Sequence, residues 1–386
     1  MKVLFISFEY PPKVIGGVGT YATHLVRGFN DRGIDIHTVT RGDKTCYDEK
    51  TYRIHTQDTL YWRRFYFTRE AVSLAHKLIA HHKFDLVHLN STYPITRRLR
   101  LPTVSTFHAP PNAKQMIMGL RLLKNQRSVK DITYLVLKNP VGSLFDVFSA
   151  KVSDRIICPS PVLARDLVSY CFVDEQKIHV VPNGIDLESF DKAESSDCSF
   201  LDKYRIQRDN FLLYMGRLSF LKGVQYLIEA FKIVQSQHPT LKLVIAGRGE
   251  FEPQLRRMAH NIKGVVFVGY VESISVKKLL YDASLAAVLP SSEYEVSPMS
   301  ILEAMARIKP VLATNIGGSS FMIKHGENGF LSEPRKPSDL AKYISILYED
   351  SSLRRKMGML GRKLVEQKFS LDKMLNKTLE VYESLF

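Results

Sequence analysis

The chain has 386 residues, 45% of them hydrophobic, and carries a formal net charge of +15. This length predicts two domains, each large enough for its own core. No apolar run reaches the roughly 18 residues of a membrane-spanning helix, and Cys46, Cys158, Cys171 and Cys198 show neither zinc spacing nor a disulfide framework, which predicts reduced thiols in a cytoplasmic protein.

The first predicted element is a strand over residues 3–8, ahead of Glu9 and Pro11-Pro12; it is too short for a signal peptide. Gly16-Gly17 follows Lys13 and precedes a helix expected from about residue 20. Backbone amides at such a turn approach a phosphate where a Cβ would obstruct, although a plain turn fits the same pair. Further strands are predicted at 34–39, 86–89, 103–106, 155–158 and 178–181, with His108 just beyond the strand at 103–106. The second half repeats the pattern at 211–215, 241–246, 265–268, 286–289 and 311–313. Continuous apolar strands alternating with helices predict parallel sheets covered on both faces, hence two doubly wound α/β domains. The boundaries fall at 1–185 and 186–365, and 366–386 reads as a closing helical segment. Residues 191–209 are polar and suit a loop with a short helix.

Most of the net excess of positive charge sits in one stretch. Residues 61–130 hold thirteen Lys and Arg against two acidic residues, Glu70 and Asp85. Within it, Met116, Leu120 and Leu123 share one helical face while Arg121, Lys124 and Ser128 occupy another, and Tyr61 to Phe67 forms an aromatic-basic cluster. A basic amphipathic helix of this kind packs on the core with its charges in water or, alternatively, lies on an anionic membrane surface. No nucleic-acid motif accompanies it.

The most informative run is Glu295 to Glu303 (EVSPMSILE). The apolar stretch before it empties into Pro290-Ser-Ser, and Ser297-Pro298 reads as an N-cap followed by proline at the first helical position. Glu295 is therefore expected in the loop and Glu303 on the helix, at the carboxyl end of a strand, where α/β sheets bind nucleotides. Glu293 is a competing carboxylate, and two surface glutamates flanking a helix would give the same spacing. Arg217 and Lys222 stand on the loop after the strand at 211–215, and the chain contains no Asp-x-Asp pair of the kind that holds a metal.

These residues come with Lys13 to Gly17 (KVIGG), His108, Pro182 to Asp186 (PNGID), Gly216 to Gly223 (GRLSFLKG), Gly247-Arg-Gly249 and Gly317-Gly318. Together, and in this order, they resemble glycosyltransferase family 4 over nearly the whole chain. The resemblance implies a GT-B fold, with two facing Rossmann-like domains, a donor site in the cleft between them that domain closure would complete, and a final helix crossing back to the first domain. It implies a retaining hexosyltransferase that uses a UDP-, GDP- or ADP-hexose without metal or cofactor. In that reading Arg217 and Lys222 hold the diphosphate, Gly216 and Gly223 permit tight turns beside them, and Glu303 accepts from the ribose hydroxyls. Glu295 and His108 address the sugar, and the amides of Met299 and Ser300 face phosphate or sugar. Gly16, Gly17 and Lys13 complete the donor site, with Val271 bordering the base. The motif around Lys13 is also similar to the glycogen and starch synthase branch, which implies a glucan acceptor, whereas the basic amphipathic stretch suits a lipid-linked acceptor on the inner face of a membrane. Two departures stand out. Val296 and Ser297 replace the usual glycine and aromatic after the first glutamate, and Phe321 stands where a glutamate is usual beyond Gly317-Gly318. A nucleotide-sugar epimerase and a non-catalytic nucleotide-sugar or anionic-lipid binding protein remain the alternatives of a different class.

Overall fold

The computed structural model describes residues 1–14, 16–56, 63–93, 98–122, 139–192 and 199–386. The chain forms two compact units, residues 1–184 with 371–386, and residues 185–370.

The first unit is built on an eight-stranded sheet of order β3-β4-β2-β1-β5-β6-β7-β8. Its strands are β1 (Lys2–Ile6), β2 (Asp35–Gly42), β3 (Cys46–Asp48), β4 (Thr51–His55), β5 (Leu86–Leu89), β6 (Thr103–Thr106), β7 (Arg155–Cys158) and β8 (Ile178–Val180). All neighbours pair in parallel except β3, which returns antiparallel along β4. The β1 strand explains why the sequence reads as a solid apolar run. Val3 and Phe5 enter one core with Leu25 and Phe29, while Leu4 and Ile6 enter another with Phe67 and Val87. Both faces of the sheet are thus covered, so alternation has no polar side to show. The helix Leu371–Glu383 belongs to this unit; its Met374, Leu375 and Tyr382 pack in the core with the helix Gly17–Asp31.

The second unit holds a six-stranded parallel sheet, β11-β10-β9-β12-β13-β14. Its strands are β9 (Phe211–Met215), β10 (Lys242–Ala246), β11 (Val265–Gly269), β12 (Ala286–Leu289), β13 (Val311–Thr314) and β14 (Gly329–Ser332). Phe211 and Leu213 of β9 face one core, Leu212 and Tyr214 the other. Three strands were not expected from the sequence, the β3–β4 pair and β14. β3 is largely exposed, polar residues interrupt β4, and β14 is a four-residue Gly-Phe-Leu-Ser segment with only two adjacent large apolar residues, so no long apolar run marks them.

Candidate active site

Strand order places the site. From β9 the second sheet grows to β10 and β11 on one side and to β12, β13 and β14 on the other. The connections leave in opposite directions at β9 and β12, so their loops part and leave a crevice at the carboxyl ends. The loop 216–223 after β9 and the loop 290–298 after β12 border it. Gly223 fastens one to the other. Its φ is +71°, and a Cβ there would lie 1.9 Å from the carbonyl oxygen of Pro290. Ser292 N donates to Leu221 O at 2.9 Å beside it. A Cβ on Gly318 would likewise lie 1.9 Å from Val296 O, and Gly318 N donates to Glu295 O at 2.6 Å. The Gly317-Gly318 turn therefore supports the Glu295 loop from below.

On this frame Lys222 Nζ donates to Glu295 Oε1 at 2.6 Å. Ser291 Oγ donates to the same oxygen. Glu295 is only 5% exposed, so its charge is tolerated because two donors meet it. Beneath them Tyr214 donates to Arg217 O at 2.8 Å. Burial, then the nearby Glu295 charge, raises the Tyr214 phenol, against a smaller opposite pull from Arg217. The phenol therefore stays protonated and holds the loop. The Arg217 side chain is exposed and makes no ion pair among the described residues.

Glu303 lies on the helix Met299–Ala306. Lys277 Nζ donates to its Oε1 at 3.0 Å and Tyr281 Oη to its Oε2 at 2.9 Å. Burial, followed by the Glu303 charge, pushes the Tyr281 phenol well up, so it remains a donor. Each carboxylate oxygen is thus oriented by one protein donor and keeps acceptor capacity for another. Pro298, not Ser297, is the N-cap residue, with extended backbone (φ −71°, ψ 116°) and no side-chain cap. Ile301 N makes the first bond of that turn, to Pro298 O, so the amides of Met299 and Ser300 precede the helical ladder. Glu293 is paired with Arg335. Val271 is half-buried and packs against the core, and Gly216 N donates to Ala246 O.

The carboxyl edge of the first sheet carries the other expected residues. His108 lies beyond β6, where its Nε2 meets Asn90 Oδ1 at 2.7 Å and its ring meets the Tyr21 ring at 4.7 Å. Lys13 pairs with Asp43. The expected start of the helix after Gly16 needs correction. The helix begins at Gly17, not near residue 20, and the Gly16 amide donates to the Glu9 carboxylate at 3.1 Å. Among the described residues a Cβ on either glycine would meet no atom within 4 Å, so packing against those residues does not require them.

The basic stretch also changes on inspection. Phe67 is fully buried against Phe8 and Tyr93, so it belongs to the core and not to a surface cluster. Tyr61 and Trp62 lie outside the described residues. In the helix Asn112–Leu122, Lys114 is bound to Asp166 at 2.6 Å, an anchoring contact. Leu123, Lys124, Arg127, Ser128 and Lys130, with the side chains of Leu120 and Arg121, lie outside the described residues, as do Ser195, Ser196 and Cys198. Among the described residues no helix is long and apolar enough to cross a membrane. Ser291, Lys277, Tyr281 and Asn90 were not singled out from the sequence. Ser291 sat inside the recognised Pro-Ser-Ser turn; the other three lie far along the chain from the groups they touch.

A doubly wound α/β protein with cations and carboxylates at its switch point is the class that this fold and site define. Two family models then match the chain, Glycosyltransferase Family 4 over residues 15–189 and Glycosyl transferases group 1 over residues 200–364. The protein belongs to this glycosyltransferase family, and its fold is GT-B, two Rossmann-like α/β domains. It is 28% identical to an uncharacterized glycosyltransferase of Methanocaldococcus jannaschii, covering 99% of this chain and 98% of that one. It is 25% identical to a glycogen synthase of Mycobacterium tuberculosis, covering 99% and 94%. In structure it is similar to the Anabaena protein HepE crystallised with UDP-glucose, with a TM-score of 0.75 over 100% of both chains at 18% identity.

Proposed function

We propose that this glycosyltransferase moves a hexose from a UDP-hexose to a hydroxyl of a glycan or lipid-linked acceptor, with retention at the anomeric carbon and without a metal ion. The observation that carries the reading is the Lys222–Glu295 pair at 2.6 Å on the crevice between β9 and β12. Arg217 shares that loop, and Glu303 stands on the helix that follows. The leaving nucleoside diphosphate gains negative charge as the glycosidic bond breaks. In this reading Lys222, held in place by Glu295, and Arg217 stabilise that charge. Glu303 receives the ribose hydroxyls on a carboxylate already oriented by Lys277 and Tyr281. The amides of Met299 and Ser300 supply donors for phosphate or sugar, and Gly16, Gly17 and Lys13 are assigned to the donor as well. Glu295 and His108 are assigned to the transferred sugar. A departing β-phosphate oxygen takes the acceptor hydroxyl's proton on the same face, so positioning and electrostatics supply most of the acceleration.

The test is a product-detected screen of UDP-, GDP- and ADP-hexoses against glucan and lipid-phosphate acceptors, with and without chelator. The expected result is acceptor-dependent release of UDP that survives the chelator and yields an α-linked product from an α-linked donor. Conversion of the donor without acceptor would overturn the reading in favour of an epimerase. Binding without any UDP release would reduce the protein to a binding module.

A further inference from the structure

At the carboxyl edge of the first sheet, the neighbouring strands β1, β5 and β6 each deliver one polar side chain: Ser7, Asn90 and His108. They form a single run of hydrogen bonds. His108 Nε2 lies 2.7 Å from Asn90 Oδ1, Asn90 Nδ2 lies 3.0 Å from Ser7 Oγ, and Ser7 Oγ lies 2.7 Å from Glu9 O. Asn90 Nδ2 also lies 3.4 Å from Val18 O.

The direction of this run is decided at its far end. The Glu9 carbonyl can only accept, so Ser7 gives its one proton there and must accept from Asn90. The Val18 carbonyl makes the same demand of the amide. The NH2 group of Asn90 therefore faces Ser7 and Val18, and its carbonyl oxygen faces the imidazole. That oxygen has nothing to donate, so the ring nitrogen opposite it must carry a proton. A flipped amide would set its oxygen against the Val18 carbonyl, which has no proton to give, and leave the fully buried group unsatisfied on that side.

We infer that Asn90 is a positioning residue for the transfer reaction, fixing His108 as the Nε2–H tautomer so that Nδ1 carries the ring's lone pair. The ligand group suited to such a nitrogen is a hydroxyl that donates, and a neutral ring is required to receive it. This inference rests on the assignment of His108 to the transferred sugar. Two titratable groups beside the ring carry no charge near pH 7. His88 of β5 is held uncharged because burial drives its pKa down to about 3, and burial pushes Tyr21 of the helix Gly17–Asp31 up to about 12. The Glu9 carboxylate is bound to the Gly16 amide.

The experiment uses the full-length protein labelled with 15N-histidine. Long-range proton–nitrogen correlation should show His108 as the Nε2–H tautomer in the wild type, and an Nδ1–H tautomer would overturn the inference without any variant. Asn90→Asp is isosteric and places a negative charge against the imidazole. It should raise the His108 pKa and move the acidic limb of kcat/KM upward by about 1 pH unit or more; an unmoved limb would also overturn the inference. Asn90→Ala should release the ring into a mixture of tautomers, where a purely structural role would leave the tautomer alone. His108→Ala tests the underlying assignment separately. Unchanged turnover there would remove the sugar role, and the positioning role with it, even if the tautomer is found as described.

Discussion

The carboxyl edges of the two sheets handle polarity in different ways. On the second sheet two carboxylates are each met by a lysine and a hydroxyl: Glu295 by Lys222 and Ser291, Glu303 by Lys277 and Tyr281. On the first sheet His108, Asn90 and Ser7 are joined by neutral hydrogen bonds that run one way to a backbone carbonyl. Charge compensation resists loss of a partner, since an unpaired buried carboxylate costs several kcal/mol. A neutral run costs less to disturb but fixes where each proton sits. One edge is built to hold charge, the other to hold direction.

The largest test of that contrast is Lys222→Ala. We expect turnover to fall about 100- to 1000-fold, with thermal unfolding used to confirm that the second unit persists; near-normal turnover would remove the phosphate clamp. Next comes Gly223→Ala, which leaves every charge in place and disturbs only the frame. The added Cβ has no room beside Pro290 O, so we expect a loss of about 3 kcal/mol by denaturant unfolding. An undiminished midpoint would show that the two loops are not held as described. Glu303→Ala should weaken UDP binding about 10- to 100-fold by calorimetry, because hydrogen bonds to a charged group are worth about 1.5–3 kcal/mol. An unchanged Kd would reject the ribose role. The smallest effect belongs to Tyr281→Phe, which removes one orienting donor and should raise the UDP Kd about fivefold. It should also narrow the preference for UDP over 2′-deoxy-UDP. If Tyr281→Phe matched Glu303→Ala in size, Glu303 would depend on its partners more than its own charge suggests.

Much of this was legible before any coordinates. The strand ending in Pro290-Ser-Ser and the helix after it place Glu295 in a loop and Glu303 one turn into a helix, because proline and an apolar run are local signals. The strands at 86–89, 103–106, 155–158, 211–215 and 286–289 stood out for the same reason. Other features were not readable. Lys277 and Tyr281 are one helical turn apart, but nothing in that spacing points to residue 303. Phe67 looked like part of an exposed aromatic cluster because sequence neighbours do not reveal which face of a helix is covered. Nor does the sequence around Gly16 show that its amide meets the carboxylate of Glu9, seven residues back.

The sequence by itself determined the order of elements, the two parallel α/β cores and the family motifs, since runs of apolar residues, turn residues and caps act within a few positions of the chain. Only the tertiary structure decided which donors meet Glu295 and Glu303, and which way the protons run from His108 to Glu9. Those facts depend on strand order, which brings β1, β5 and β6 side by side and sets β9 against β12. Their partners lie tens of residues apart, and no local preference encodes a meeting that only packing brings about.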